Sequence, residues 1–121
     1  MKKLTDEQLK KRNDLNDIYA QSAGAGTWFR YSFGFLITEG VKAVADSVGG
    51  YWLIDAIVSY RRKEELQFWT LLVRGSRAVL IMQEDSGKPF LVKQKISFTD
   101  FPQGRWKVWV VNKTLMVPSE Y

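Results

Sequence analysis

The side chains available for chemistry in this chain are restricted, because its 121 residues include neither histidine nor cysteine. Without imidazole or thiol groups there is no Ser-His-Asp triad, no thiolate nucleophile, no disulfide and no zinc site built from the usual ligands. The glycine-rich patterns GxGxxG and GxxxxGK[ST] are also absent, which disfavours nucleotide hydrolysis. We therefore expect a protein that is not an enzyme and that needs neither a cofactor nor a metal.

Carboxylates are the remaining candidates for acid–base chemistry. Asp100 precedes a turn at Phe101-Pro102, where an aspartate accepts backbone N–H bonds. Glu39 follows a predicted helix cap at Thr38, where negative charge favours the helix start. An enzyme that uses only carboxylates, as glycosidases do, is the one enzymatic alternative left open. The candidate carboxylates are Glu39, Asp46, Asp55, Asp100 and Glu120.

Basic side chains of the C-terminal half are the strongest indication of a binding function. Residues 61–121 carry 11 basic and 6 acidic side chains, whereas residues 1–60 carry 7 of each, so the net charge of +5 lies in the second half. A basic surface favours a polyanionic partner, although outward Lys and Arg also keep a sheet soluble. The candidate binding residues are the cations Arg74, Arg77, Lys93, Lys95, Arg105 and Lys107, with Trp69 and Trp109 as flat surfaces for stacking.

A second candidate site combines aromatic rings with arginines. Trp28 and Tyr31, together with Arg30 or Arg61, would hold a nucleotide-like anion between rings and guanidinium groups.

Helical spacing and capping signals place three helices in the first half of the chain. A capping box that begins at Thr5 predicts a helix from residue 6 to about residue 21. Thr38 caps a second helix that stops at Gly49-Gly50, and a third helix starts near Tyr51. The helix within residues 1–23 is the most peripheral of these elements.

The spacing of apolar residues changes from 3.6 to 2 after residue 65, which predicts strands for the second half. Alternation puts Lys93 and Lys95 on the wet side of one strand, and Arg105 and Lys107 on one side of the next. If the strands pair in sequence order, these four cations form one basic patch about two strands wide. The predicted strands are 66–73, 77–83, 90–98, 105–111 and 114–117, with 27–33 as an added edge strand.

Together these elements predict one α+β domain over residues 1–121. Its N-terminal helices pack on one face of a four- to five-stranded antiparallel β-sheet, arranged as a meander. No run reaches the roughly 18 apolar residues that a membrane span needs. Polar residues follow Met1-Lys2-Lys3, so we expect no secretion signal and a cytoplasmic location.

Several short motifs resemble a family of small uncharacterised bacterial and phage proteins. The motifs are Thr99-Asp100-Phe101-Pro102 and the terminal run Val117-Pro118-Ser119-Glu120-Tyr121, with similar segments at Gly40-Val41 and residues 51–57. The resemblance covers residues 27–121 and leaves the N-terminal helix outside. It implies a one-domain fold and a phage or mobile-element context, and it transfers no catalytic residue because the family carries no assigned activity.

The sequence therefore favours a non-enzymatic interaction protein. One example is a phage- or mobile-element-encoded inhibitor that acts by occlusion on a host defence or nucleic-acid-processing complex. Two alternatives stay open, namely direct nucleic-acid binding by the basic sheet face and a small nucleotide-binding pocket. The partner is a protein complex or a nucleic acid, and a homodimer is left open.

Overall fold

A computed structural model describes residues 6–21, 28–85 and 87–121, so the predicted cap at Thr5 lies outside the described residues. The α+β class is confirmed, with short 3₁₀ turns at Ser32–Gly34 and Pro118–Glu120. The described helices are α1 (Asp6–Gln21), α2 (Glu39–Val48) and α3 (Tyr51–Ser59), and the strands are β1 (Trp28–Arg30), β2 (Leu36–Thr38), β3 (Leu66–Arg74), β4 (Arg77–Gln83), β5 (Val92–Ile96), β6 (Gly104–Val111) and β7 (Thr114–Met116).

The described strands form one seven-stranded mixed sheet in the order β1-β2-β7-β6-β3-β4-β5. The prediction of four to five antiparallel strands is therefore wrong in strand number and in direction, because β2 and β7 run parallel. The prediction of a single strand over 27–33 is also wrong. The chain reverses in the 3₁₀ turn, where Phe33 adopts a φ of 60°, and it returns as β2 against β1.

Strand pairing also departs from the predicted meander, because β6 pairs with β3 while β5 stays at the edge beside β4. Residues 97–103 carry the chain around the β3–β4 hairpin. The Thr99 N–H donates to the Ser76 carbonyl oxygen at 2.8 Å, which ties the crossing segment to the hairpin turn. Phe101 then buries its ring against the α2–α3 turn, where a Cβ at residue 50 would lie 2.7 Å from the ring. Gly50 is thus needed for this close approach.

Helices α2 and α3 cover one face of the sheet. Thr38 begins α2 by accepting a hydrogen bond from the Val41 N–H at 3.3 Å, and Gly49 ends it with left-handed backbone, so both predicted caps are confirmed. Burying each aliphatic side chain of this layer stabilises the fold by about 1.5–3 kcal/mol. The layer includes Val41, Val44, Val48, Leu53 and Ile57 from the helices and Trp69, Leu71, Leu80, Val108, Val110 and Leu115 from the strands.

Helix α1 joins this core through Leu15, which is fully buried. The helix packs against α2 and against the Pro118–Glu120 turn. Most of its other described side chains are exposed, in agreement with a helix that contacts the core by one edge.

Candidate functional site

The face of the sheet opposite the helices is open over β3, β4 and β6, and we call it the open face. Its centre is an apolar stripe made of alternate residues of the two central strands. Leu72 lies beside Val79, and Thr70 lies beside Ile81, in the register of the β3–β4 pair. Leu72, Val79 and Thr70 are partly buried, whereas Ile81 is buried, with 8% of its surface exposed. The open face therefore presents apolar surface within a groove of about 640 Å³.

Basic side chains border this stripe on both sides. On one side, Arg105 and Lys107 of β6 lie opposite Leu72 and Thr70. On the other side, Lys95 and Lys93 of β5 lie opposite Val79 and Ile81. The four cations thus share one face, but two apolar strands separate them. The predicted patch two strands wide is corrected to two basic rows, because β5 and β6 are not neighbours.

Two further cations close the hairpin end of the open face. Arg74 and Arg77 lie directly opposite each other at the β3–β4 turn. Both side chains are exposed, and like charges in this position repel. Within the described part of the chain, neither of them forms an ion pair with a carboxylate, nor do Lys93, Lys95 and Arg105. The open face therefore carries an excess of positive charge.

Aromatic side chains stand at the far end of the groove. Trp109 packs edge-on against Phe68, with ring centroids 4.8 Å apart, and against Tyr121, with centroids 5.4 Å apart. Phe90, which is 54% exposed, lines the same groove together with Asp85. Of the two candidate tryptophans, only Trp109 borders this surface.

Trp69 lies on the helix-covered face and is 0% exposed, so it is removed from the candidate binding residues. Its ring packs against Tyr60, and its indole N–H donates to the Gln67 side chain at 2.8 Å. Gln67 in turn donates to the carbonyl oxygens of Arg62 and Glu64, which fixes the α3–β3 connection. Alternation along a strand does not indicate which face of the sheet the helices cover.

The cavity at Arg61 does not include the other three side chains of the second candidate site. Arg61 borders a cavity of about 610 Å³ with Phe33 and Phe35, and Trp28, Arg30 and Tyr31 are not among its lining residues. Of the three residues of β1, Trp28 and Arg30 are exposed.

Tyr31 is instead held by a carboxylate of α3. Its hydroxyl donates to Asp55 Oδ1 at 2.5 Å. Burial, followed by this hydrogen bond, raises the pKa of Tyr31 to about 12. Asp55 therefore positions a neighbouring ring, as expected of a structural helix carboxylate.

Glu120, another candidate carboxylate, is buried and serves as a structural acceptor. It accepts hydrogen bonds from the Thr38 hydroxyl at 2.6 Å, from the Val117 N–H at 2.9 Å and from the Gly40 N–H at 3.2 Å. These contacts join the Pro118–Glu120 turn to the beginning of α2. Nothing in the local sequence reveals this role, because Thr38 and Gly40 precede Glu120 by about eighty positions.

Neither a metal-binding cluster nor a membrane-spanning helix is found among the described residues. No group of three or more acidic side chains in this part of the chain lies close enough together to hold a metal ion. The helices at 6–21, 39–48 and 51–59 are too short or too polar to cross a membrane.

The geometry defines a small α+β protein with a mixed sheet that helices cover on one face. The chain belongs to the family of unknown function DUF6876, whose model matches residues 13–121. The match extends into α1, so the expectation that the N-terminal helix lies outside the family is wrong for residues 13–21, whereas residues 6–12 lie outside the match. Comparisons with curated proteins and with solved structures found no match.

Proposed function

We propose that this protein is a non-enzymatic binding protein whose open face holds an acidic, amphipathic helix of a partner protein. The observation that carries this proposal is the apolar stripe between two basic rows. An amphipathic helix with acidic flanks has the complementary arrangement, since its apolar side would cover the stripe while carboxylates on both flanks would meet Lys or Arg.

The dimensions of the open face support a helix as the occupant. Three strand spacings separate β5 from β6, which is about 14 Å. An α-helix with its side chains is roughly 10–12 Å wide and fits between the two basic rows. Strand β3 has nine residues and extends over roughly 30 Å, so a helix of about 18 residues, roughly 27 Å long, matches its length.

The two parts of the open face would contribute differently to binding. Each exposed ion pair contributes only about 0–1 kcal/mol, so most of the affinity would come from covering the apolar stripe and from the Phe90 and Trp109 rings. The basic rows would select acidic partners and set the orientation of the helix. A partner held in this way loses the use of its acidic helix, so the protein would act by occlusion. A phage or mobile-element origin stays a prediction.

The proposal is tested by methyl NMR with a synthetic peptide of about 18 residues. The peptide carries Leu at helical spacing on one side and Glu on both flanks. We expect saturable shifts of the Leu72, Val79 and Ile81 methyl signals. A peptide of the same composition in scrambled order serves as the negative control. No shifts with the ordered peptide, or shifts confined to other residues, would overturn the proposal.

A matched pair of charge-reversal variants tests the basic rows. Lys95→Glu combined with Arg105→Glu reverses one charge on each side of the stripe, and we expect at least tenfold weaker binding, which is about 1.4 kcal/mol. Lys10→Glu combined with Arg12→Glu makes the same change of net charge on the exposed side of α1 and should leave binding unchanged. Equal affinity in both double variants would contradict a specific role of the open face.

Nucleic acid is the second candidate occupant, because six cations share the open face with Trp109 and Phe90. Binding of single-stranded DNA would use phosphate contacts and base stacking, and its affinity would fall steeply with salt. An oligothymidylate titration followed by the same methyl signals separates the two functions. Shifts with the oligonucleotide and none with the ordered peptide would favour nucleic acid.

A further inference from the structure

Four described residues other than glycine adopt left-handed backbone, and all four border the same cavity. They are Phe33, Arg61, Asn112 and Lys113, with φ values of 60°, 48°, 48° and 64°. The cavity has a volume of about 610 Å³ and lies between the 3₁₀ turn at Ser32–Gly34, the α3–β3 connection and the β6–β7 turn. None of its lining residues borders the groove of the open face.

Left-handed backbone has an ordinary explanation at three of these positions. Asn112 and Lys113 form a two-residue hairpin turn, which requires positive φ at both residues. Arg61 directly follows Tyr60, the cap residue of α3, where left-handed backbone commonly ends a helix. Phe33 lies in the turn between β1 and β2, and its Cβ atom is disfavoured in this conformation. Strained residues of this kind persist where the surrounding structure holds them, and they concentrate at binding sites.

Phe33 and Arg61 contact each other and present a flat surface. The Arg61 guanidinium lies 3.9 Å from the centroid of the Phe33 ring. Phe33 is 50% exposed, although it is an aromatic residue. Phe35 is buried beside them, and Lys113 Nζ lies 6.0 Å from its ring centroid. The exposed part of this Phe33–Arg61 pair can therefore stack with a planar ring, next to the positive charge of Lys113.

The cavity carries an excess of positive charge. Its lining includes four cations and two carboxylates, which gives a net charge of +2. Arg62 is already engaged by Glu64 through two hydrogen bonds of 3.1 and 2.7 Å. The lining cations are Arg61, Arg62, Lys63 and Lys113, and the lining carboxylates are Glu64 and Glu65.

We propose that this cavity binds a nucleoside monophosphate, with its base stacked at Phe33 and its phosphate held by Arg61, Lys63 and Lys113. A phosphate monoester carries a charge of about −1.5 to −2 at pH 7, which balances the net charge of the lining. The cavity volume lies within the range of roughly 300–1,000 Å³ that is typical of small-molecule sites. This site is independent of the helix-binding function of the open face.

Calorimetric titration of the whole protein tests the proposal with AMP, GMP, CMP and UMP, with inorganic phosphate and with adenosine. We expect at least one nucleotide to bind at least tenfold more tightly than phosphate or adenosine. No binding of any nucleotide at millimolar concentration would overturn the proposal. Equal affinity for inorganic phosphate would also overturn it, because the base would then contribute nothing.

Two variants locate the site. Phe33→Asn removes the ring but keeps a residue that tolerates left-handed backbone, and Arg61→Gln removes the charge. We expect each to weaken nucleotide binding at least tenfold, with thermal unfolding confirming that both variants are folded. Arg12→Gln on α1 is the matched control and should bind as the wild type does. Unchanged binding in the Phe33 and Arg61 variants would contradict the assignment.

Discussion

The carboxylate of Glu120 occupies the space in which a side chain at residue 40 would lie. A Cβ on Gly40 would come within 2.5 Å of Glu120 Oε1 and within 2.9 Å of Oε2. The same carboxylate accepts a hydrogen bond from the Gly40 N–H. The absence of a side chain at residue 40 therefore lets the Pro118–Glu120 turn close against the first turn of α2.

Gly40→Ala should destabilise the protein, although alanine normally favours a helix. The added methyl group forces the carboxylate away from Thr38 and Val117, and overpacking of this kind costs about 1–3 kcal/mol. Urea unfolding of the two proteins measures the difference in free energy.

The Glu120→Ala background separates the steric cause from a simple effect on the helix. Glu120→Ala alone should cost about 2–4 kcal/mol, because it leaves three buried donors without their acceptor. In that background the space beside residue 40 is empty, so Gly40→Ala should be neutral or stabilising by up to about 1 kcal/mol. Equal costs in both backgrounds would show that the two residues are not coupled.

Gln67 should prove more important for stability than its polar side chain suggests. Gln67→Leu leaves the Trp69 indole N–H and two backbone carbonyl groups without this partner, and we expect a loss of about 2 kcal/mol or more in the free energy of unfolding. Gln94→Leu is the matched control. Its amide oxygen accepts from the exposed Tyr60 hydroxyl at 2.6 Å, and an exposed hydrogen bond contributes less, so this substitution should cost less. Chemical denaturation of both variants checks the ranking.

Local signals allowed the helices to be predicted, whereas the strand order depended on distant contacts. Thr38 begins α2 through its side-chain hydroxyl, and Gly49 ends α2 through its left-handed backbone. Both residues can be recognised as caps in the sequence. The segment that leads into β6 buries Phe101 against Gly50, two residues about fifty positions apart, and β6 then pairs with β3. Three-residue strands such as β2 carry too short a pattern to be recognised.

The same distinction applies to the candidate site. Alternation along a strand places Lys93 with Lys95, and Arg105 with Lys107, on one side of each strand. The distance between the two rows depends on the strand order, which the sequence did not reveal. Side-chain type gave no indication that Trp69 faces the helices, and the cavity beside Phe33 depends on backbone conformation that no sequence pattern predicted.

Tyr31 should make the stability of the protein depend on pH in the alkaline range. The pKa of Tyr31 is raised from 10.0 to about 12 in the folded protein, by burial first and then by the hydrogen bond to Asp55. Its contribution to stability is therefore complete below pH 10 and is lost as the pH rises from 10 to 12. Over this range, the free energy of unfolding should fall less steeply in Tyr31→Phe than in the wild type.

Asp55→Asn separates the two causes of this shift. It removes the carboxylate but leaves the burial, so the pKa of Tyr31 should fall below about 12 and stay above 10. The difference in tyrosinate absorbance at 295 nm between each protein and its Tyr31→Phe counterpart measures this pKa. An unchanged pKa in Asp55→Asn would show that the hydrogen bond does not contribute.

Arg77→Glu should stabilise the protein and weaken its proposed partner binding at the same time. Arg74 and Arg77 repel each other across the β3–β4 hairpin, and an opposite-charge pair at this position contributes about 0.2–1 kcal/mol. We expect a higher urea midpoint together with weaker binding of the acidic amphipathic peptide to the open face. Arg77→Gln relieves the repulsion without adding a carboxylate, so it should show a smaller gain in stability and a smaller loss of binding. Greater stability with unchanged peptide binding would mean that the hairpin end of the open face takes no part in recognition. The two arginines would then destabilise the hairpin without contributing to binding.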